Sequence, residues 1–502
     1  MAIEPIYETI NFNCEKNTVS EQIKVESKAI ASDEVTSIIN VSTFAFISQT
    51  ICSGGKIEYG GKMIFYVCYL DAENNVKKCE CGSEFKGAFK DDFILDNSKV
   101  NLDVVVDKAY CDTSNSKLVA NAYLTVKGTV SNCSQAVALS GGDNLIINAN
   151  QITCEKSCGV KSSTYPIEEE FQLGYAISEV ISHRAQAIIT AVQCGVGAII
   201  VDGEVLVSAI MLQNNKKNDI IKEDKTIPFR YEIECEDAMP TMQATARVKE
   251  QSLKTDVSVD QDNGVSVMSV SINLLFEGEA FYYDTVSVAT DVFSTDQEID
   301  FGIKNIKHNR LGEVRSCNCT VLGRVGLSDL PVGASVLAVG DECVQILKIS
   351  CDEGLAKITG TLSAVAYMRD GENGIFSCKL ETPFENQLDC EFACETDITL
   401  VAKAKNARAR IVSLNEMELE SEIYFTVYPE EMNSISVIGE VKVLGEKQKE
   451  TSAISVYIPT AGEELWSLSK RLNVCPEKLV ATNPELQFPL TGNERIVIYR
   501  QR

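Results

Sequence analysis

Histidine and tryptophan are nearly missing from this chain: its 502 residues hold two of the first and one of the second. Two imidazoles are a poor inventory for general-base catalysis or for metal ligation, so most hydrolytic and zinc chemistry is disfavoured at once. Positive charge is short as well. Forty-six Lys and Arg stand against 72 Asp and Glu, a net charge of −26. Nucleic acids and anionic lipid surfaces are bound by basic side chains that displace counterions, so neither is expected as a partner. No window reaches the roughly 18 uninterrupted apolar residues of a membrane span. The best candidate, 185–212, is broken by Gln, Asp, Glu, Gly and Ser. The N-terminus, MAIEPIYETINF, is acidic from the start and shows no basic stretch followed by an apolar core. No export signal is expected, and the chain reads as cytosolic.

What is present is strand. About 500 residues suggest three or four domains at roughly 150 each, and 45% hydrophobic residues are enough to bury cores. Alternating β-branched and aromatic runs recur: GKMIFYVCY at 61–69, MQATARV at 242–248, VSVMSVSINLLF at 265–276 and IYFTVY at 423–428. Helical faces are almost absent before residue 460, with 168–184 the one weak exception. Asp202-Gly203 and Asp370-Gly371 read as hairpin turns.

The runs are organised as three copies of one pattern. Each has a strand, a glycine, a second strand, a polar loop and a short element bearing Phe. The glycines are Gly61, Gly203 and Gly360, and Phe85, Phe229 and Phe384 follow them by 24, 26 and 24 residues. A tight turn needing positive φ accounts for such a glycine. An acidic stretch, an alternating strand and a last long strand (118–130, 265–281, 417–428) complete each copy. Spacings of 142 and 157 residues between the glycines are those of domains, not of a solenoid. The expected fold is mainly β: three tandem antiparallel sandwiches or open barrels at 1–150, 151–290 and 291–448. Long alternating strands also invite edge-to-edge self-association.

After a charged linker the pattern changes. ISVYIP at 454–459 is a short strand. A helix is expected over 460–472, with Leu465, Leu468 and Leu472 on one face and Thr460 and Glu463 at capping-box spacing. Pro476 opens a second helix, Asn483-Pro484 ends it, and 494–499 is a return strand. Gly462, Leu465-Trp466, Leu468, Leu472, Val474, Leu479, Asn483-Pro484 and Gly492 carry a resemblance to the LysM domain over 454–502. That resemblance implies a β-α-α-β fold and a groove for N-acetylglucosamine-containing glycans such as peptidoglycan. By position, one wall is Gly462, Glu463, Glu464 and Leu465, the other Asn483, Pro484, Glu485 and Leu486. Where the family commonly has Gly-Asp-Thr, this chain has Gly462-Glu463-Glu464, and the added charge weakens the case for an acidic wall polymer. Protein docking stands as the other reading of the module. Trp466 reads as core of the small domain rather than as a sugar platform.

Tandem acidic β-repeats, with Pro228-Phe229 and Pro383-Phe384 after the glycine-bearing strands, followed by a terminal LysM, resemble the clostridial SPOCS–LysM proteins. Copy one departs, with Glu84-Phe85. The resemblance implies a non-enzymatic adaptor of spore coat assembly. It would work in the mother cell and then at the forespore surface, with coat proteins, above all the basement-layer ATPase, as partners. A peptidoglycan-binding wall protein anchored through LysM is the alternative. No enzyme is expected: His183 and His308 lie in a strand edge and a basic loop, and no nucleophile elbow, Walker A or His-Glu-x-x-His motif occurs. No cofactor and no metal site is expected either. The 19 Cys include the close pairs Cys79/Cys81, Cys154/Cys158, Cys317/Cys319 and Cys390/Cys394, none at the spacing of structural zinc. In a reducing cytosol they read as scattered thiols, with oxidative cross-linking in the spore shell as the testable exception.

Overall fold

A computed structural model describes residues 3–214, 217–259, 265–312, 314–328, 330–352, 355–389, 396–448 and 453–499. The chain folds mainly as antiparallel strands, and the same order recurs three times. First come β1 (Glu4–Ile30), β2 (Ser37–Ser53), β3 (Lys56–Leu70), β4 (Val76–Lys90), β5 (Lys99–Ser114) and β6 (Lys117–Asp143). They form an inner sheet β2-β3-β4 and an outer sheet β1-β6-β5. Next are β7 (Ile146–Gln172), β8 (Ile177–Cys194), β9 (Ala198–Gln213), β10 (Ile220–Glu234), β11 (Gln243–Val259) and β12 (Ser266–Phe293). Their sheets are β8-β9-β10 and β7-β12-β11. The third set is β13 (Gln297–Leu311), β14 (Arg315–Gly326), β15 (Ser335–Asp352), β16 (Leu355–Arg369), β17 (Ile375–Asp389), β18 (Thr396–Ser413) and β19 (Glu416–Glu446). Here the first strand is split, and β13 and β14 pair with successive halves of β19. Each pair of sheets packs over its own core. Among the described residues no sheet closes into a barrel. The expected boundaries at 150/151 and 290/291 fall inside β7 and β12.

The glycines correct the sequence reading. Gly61, Gly203 and Gly360 sit in the middle of β3, β9 and β16, not in turns, and none has positive φ. Asp202-Gly203 is therefore no hairpin, whereas Asp370 does build one, its carboxylate accepting the Gly374 amide at 2.7 Å. Each mid-strand glycine lies directly opposite its Phe: Gly61 with Phe85, Gly203 with Phe229, Gly360 with Phe384. The ring lies on the bare Cα. A Cβ at 203 would stand 2.4 Å from Phe229 Cζ and 2.3 Å from the Ile188 carbonyl oxygen. On the other neighbouring strand a register shift faces the same point, at 47/49, 189/191 and 346/348. Bulge, glycine and ring form one device, repeated three times, that bends the inner sheet.

The weak helical signal at 168–184 is overridden by pairing. β7 continues to Gln172 and β8 begins at Ile177. Glu168, Glu169 and Glu170 are exposed, as a solvated acidic run should be.

The three inner sheets enclose a common core. On β3, Met63, Phe65, Val67 and Tyr69 point into the unit's own sandwich, while Cys68 and Leu70 point the other way, at the neighbouring units. Cys68, Ile210 and Tyr367, each seven residues after its glycine, meet there with Ile39, Ile181 and Ala338. A strand buried on both faces reads as a nearly continuous apolar run, and β3 (KIEYGGKMIFYVCYL) is one. Outside this centre the last strands run on well beyond their expected ends. The 4–13 half of β1 pairs with 133–143 of β6, and β7 with β12 and β13 with β19 do likewise. These three two-stranded arms share two further cores, one around Ile10, Ala138, Val288 and Val437, the other around Leu139, Val292 and Ile438.

Polar groups fix the units against each other. Asn40 donates to Asp341 at 2.6 Å and to the Tyr367 hydroxyl at 2.8 Å, and Ser42 donates to Asp341 at 2.7 Å. Lys222 pairs with Glu342, Lys99 with Glu279, and Lys16 with Glu430 at 2.7 Å.

The chain ends in β20 (Ile454–Tyr457), α1 (Leu465–Leu472), α2 (Pro476–Thr482) and β21 (Ile496–Tyr499), with β20 and β21 antiparallel. Leu468, Leu479, Leu490, Ile496 and Ile498 form its core. Helix α1 starts five residues later than expected. Gly462 is left-handed at φ +85°, and Glu463 and Thr460 bond to each other in a turn ahead of the helix, which the helical register cannot contain. No described helix is long and apolar enough to cross a membrane.

Candidate functional site

The terminal module brings both walls of the expected groove together, but much of their bonding capacity is used internally. The Gly462 amide donates to the Leu490 carbonyl at 2.7 Å, and the Leu490 amide to the Glu463 carbonyl at 3.0 Å. Glu463 is ion-paired with Arg471, which lies over the Tyr457 ring. Asn483 is buried. Its amide donates to the carbonyls of Leu479 and Val497 at 2.9 and 2.8 Å, and its oxygen accepts the Val497 amide at 2.7 Å. It ties α2 to β21. Leu465 and Leu486 pack on the module's core. Glu464, Pro484 and Glu485 are left exposed on the rim.

Trp466 has a different place from the one expected. It is an anchor between modules. Its Nε1 donates to Asp291 at 2.7 Å, and its ring meets Phe293 edge-on at 5.3 Å between centroids. Lys470, one helical turn on, donates to the other oxygen of Asp291 at 2.5 Å and lies over Phe301. Asn473 donates to the Thr295 carbonyl at 2.6 Å and accepts from Lys447 at 2.7 Å. The Asp291 carboxyl is held below its ordinary pKa. Burial opposes this, and the bonds from Lys470 and Trp466 outweigh it. Sequence reasoning missed the anchor because Asp291 lies 175 residues upstream of Trp466; a lone Trp beside Lys at i+4 was the available signal. Asp291→Ala should free the module. As the chain has one Trp, its emission should shift to the red while the far-ultraviolet dichroism stays within a few per cent. An unmoved emission maximum would contradict the docking.

His183 is structural. Its Nε2 stands 2.7 Å from the Tyr66 hydroxyl of the first unit, with the rings in an edge contact at 4.7 Å. Burial, helped by the Lys78 charge and opposed by Asp256, pushes its pKa down to about 4. An unfolded histidine near 6.5 binds the proton first, so this contribution is intact above pH 6.5 and is lost as pH falls toward 4. Wild type should lose about 2 kcal/mol more than His183→Asn between pH 7 and 5, read from urea midpoints. Parallel pH curves would refute the assignment. His308 belongs to β13, but its side chain lies outside the described residues.

The cysteine pairs divide. Cys79 and Cys81 face the first unit's core together, as Cys317 and Cys319 face the third's. Cys154 lies among the arms, whereas Cys158, beyond which β7 is bulged, faces the second unit's core. Cys390 and Cys394 lie outside the described residues. Among the described residues, no three His, Cys, Asp or Glu stand together as metal ligands. Grooves of about 410 Å³ (Lys222, Val339, Arg408) and about 350 Å³ (Phe46, Thr164, Asn273) lie between units.

Residues 176–260 match the family model described as SipL, SPOCS domain. The chain carries a SPOCS domain over these residues. The matched SPOCS segment spans β8 to β11 and so includes the whole inner sheet of the second unit, with Gly203 and Phe229 at its centre. SPOCS domains belong to sporulation, and the protein is sporulation-related on that ground. No curated protein and no solved structure matches the chain.

Proposed function

We propose that the protein is a non-enzymatic structural adaptor of spore coat assembly, made in the mother cell and held at the forespore surface by contacts with coat proteins, the basement-layer ATPase first among them. The observation that carries this reading is the SPOCS match inside a unit whose strand order recurs on either side of it. On this reading all three units are SPOCS repeats and the terminal β-α-α-β module is a LysM. Three units locked around one core present a rigid body with many faces, which suits bridging better than turnover. The test is a tagged copy expressed during sporulation. Fluorescence should ring the forespore, and affinity capture should recover the coat ATPase. Diffuse mother-cell signal with no coat protein recovered would sink the proposal.

Within the module, protein docking is favoured over glycan capture. Acetamido groups are read by free backbone donors and acceptors, and here the Gly462 amide and the Asn483 side chain are already bonded. The exposed rim carries Glu464 and Glu485, which suit a basic protein surface. Sedimentation with purified sacculi separates the readings. The full chain should stay in the supernatant, and pelleting would restore the wall-binding alternative.

A further inference from the structure

Three cysteines separated by up to 77 residues in the chain meet at one end of the second unit. Cys194 closes β8 opposite Ile199, and its thiol donates to the Gln243 carbonyl at 3.3 Å. Gln243 lies opposite Phe281 of β12, and Phe281 lies opposite Ser157, the residue before Cys158. At that point two residues of β7, Cys158 and Gly159, face one of β12, and the bulge sets Cys158 against the core. Cys235 follows the last residue of β10, its amide donating to the Gly197 carbonyl at 3.0 Å. β7 and β10 face each other across the sandwich, with Tyr165 and Tyr231 in contact at 4.8 Å between centroids. Beyond that contact Cys158 packs on the core that holds Cys235, close enough for the Cys235 sulfur to raise the Cys158 thiol. Cys235 is buried, and Cys158 and Cys194 are half-buried.

We propose that Cys158 and Cys235 are a reversible dithiol–disulfide pair that staples the two sheets of the second unit. The oxidant is a peroxide. Hydrogen peroxide converts the accessible Cys158 thiol to a sulfenic acid and releases one water. The Cys235 sulfur then attacks the Cys158 sulfur, forming the S–S bond and releasing a second water. Two thiols thus lose two electrons and two protons, and the peroxide takes up both. Burial raises the Cys158 thiol, and Cys194 is pushed up to about 11. The reactive species is the thiolate, so closure is slow at neutral pH and faster as pH rises. The bond encloses β8 and β9 in a loop and joins an edge strand of the outer sheet to an edge strand of the inner one. It restrains the unfolded chain more than the folded one.

Tryptic cleavage isolates each thiol: Cys158 in 157–161, Cys194 in 185–216 and Cys235 in 231–247. The full chain is treated with hydrogen peroxide, its remaining thiols are alkylated, and the digest is mapped without reduction. The expected product joins 157–161 to 231–247 and disappears on reduction. The unfolding midpoint should rise by several degrees on oxidation in wild type and not in Cys158→Ser. Recovery of 157–161 and 231–247 singly, both alkylated, while other cysteines are oxidised would overturn the proposal. So would 185–216 as the main partner of either peptide. The wild-type map decides the matter even if Cys158→Ser folds poorly.

Discussion

Replacing Gly203 by alanine is expected to cost about 3 kcal/mol of folding stability, well above the usual effect of a Gly-to-Ala change in a strand. The added methyl would meet the Ile188 carbonyl oxygen at 2.3 Å and Phe229 Cζ at 2.4 Å. Ordinary contacts begin near 3.4 Å, and neither neighbour is free to retreat. The oxygen belongs to the adjoining strand, at its bulge, and the ring is packed edge-on against Phe276. Gly61 is as tight, at 2.3 and 2.4 Å, whereas Gly360 has 2.6 and 2.7 Å. Alanine at 360 should therefore be the mildest of the three. A cycle with Phe229→Ala checks the cause. Removing the ring leaves a cavity, yet it relieves half of the clash, so the double variant should be more stable than the two single costs add up to. Urea unfolding of the four proteins measures this, and an alanine effect under 0.5 kcal/mol would mean the ring does not sit on the glycine.

Glu342→Gln should cost a further about 3–5 kcal/mol in its own right, because it strands a buried ammonium. Glu342 has a side-chain exposure of 3% and Lys222 of 11%, and the pair joins the second unit to the third. Burial pulls the Lys222 pKa down, but the carboxylates of Glu342 and Asp224 outweigh it and hold it above its ordinary value. With Glu342 neutral, only the more exposed Asp224, at 3.1 Å, still faces the charge. The Glu342→Met, Lys222→Met double variant should recover most of the loss, since an apolar pair of that volume needs no compensation. If the single and double variants unfold at the same denaturant concentration, the ion pair is not what holds this junction.

The strands of the outer and inner sheets were legible because alternation survives in them, and the threefold repeat was legible from the spacing of Gly61, Gly203 and Gly360. The role of those glycines was not. Glycine between two strand-like runs looks the same whether it turns the chain or admits a ring, and only the partner strand, 24 to 26 residues on, distinguishes the two. The spacing to Phe85, Phe229 and Phe384 was the clue. The arms were missed for a related reason. SVATDVF in β12 and SISVIGEVKV in β19 alternate with small residues, and their Val292 and Ile438 pack in a core shared between arms that no single repeat contains. In the terminal module the order of elements was readable from Pro476, Asn483 and the leucines. The use of Asn483 as an internal tie and of Trp466 as an anchor was not: the first depends on how β21 returns against α2, and the second on a carboxylate 175 residues away.

The shared arms set the order in which the protein can mature. Lys16 in the first strand meets Glu430 near the last, and the Tyr7 hydroxyl accepts the Val441 amide across 434 residues. A ribosome adding about 5–20 residues per second needs tens of seconds to travel between them. Early in that interval the first unit's sandwich can close over its own core, but until the second unit follows its arm has no neighbours and its inner sheet presents Cys68 and Leu70 to water. Release of the last arm, which brings Val437 and Ile438, completes the two arm cores, whereas the central core, whose last member is Ile375, can close before it. A chain truncated before residue 430 leaves the first two arms without Val437 and Ile438, and that apolar surface distinguishes an unfinished chain from a finished one.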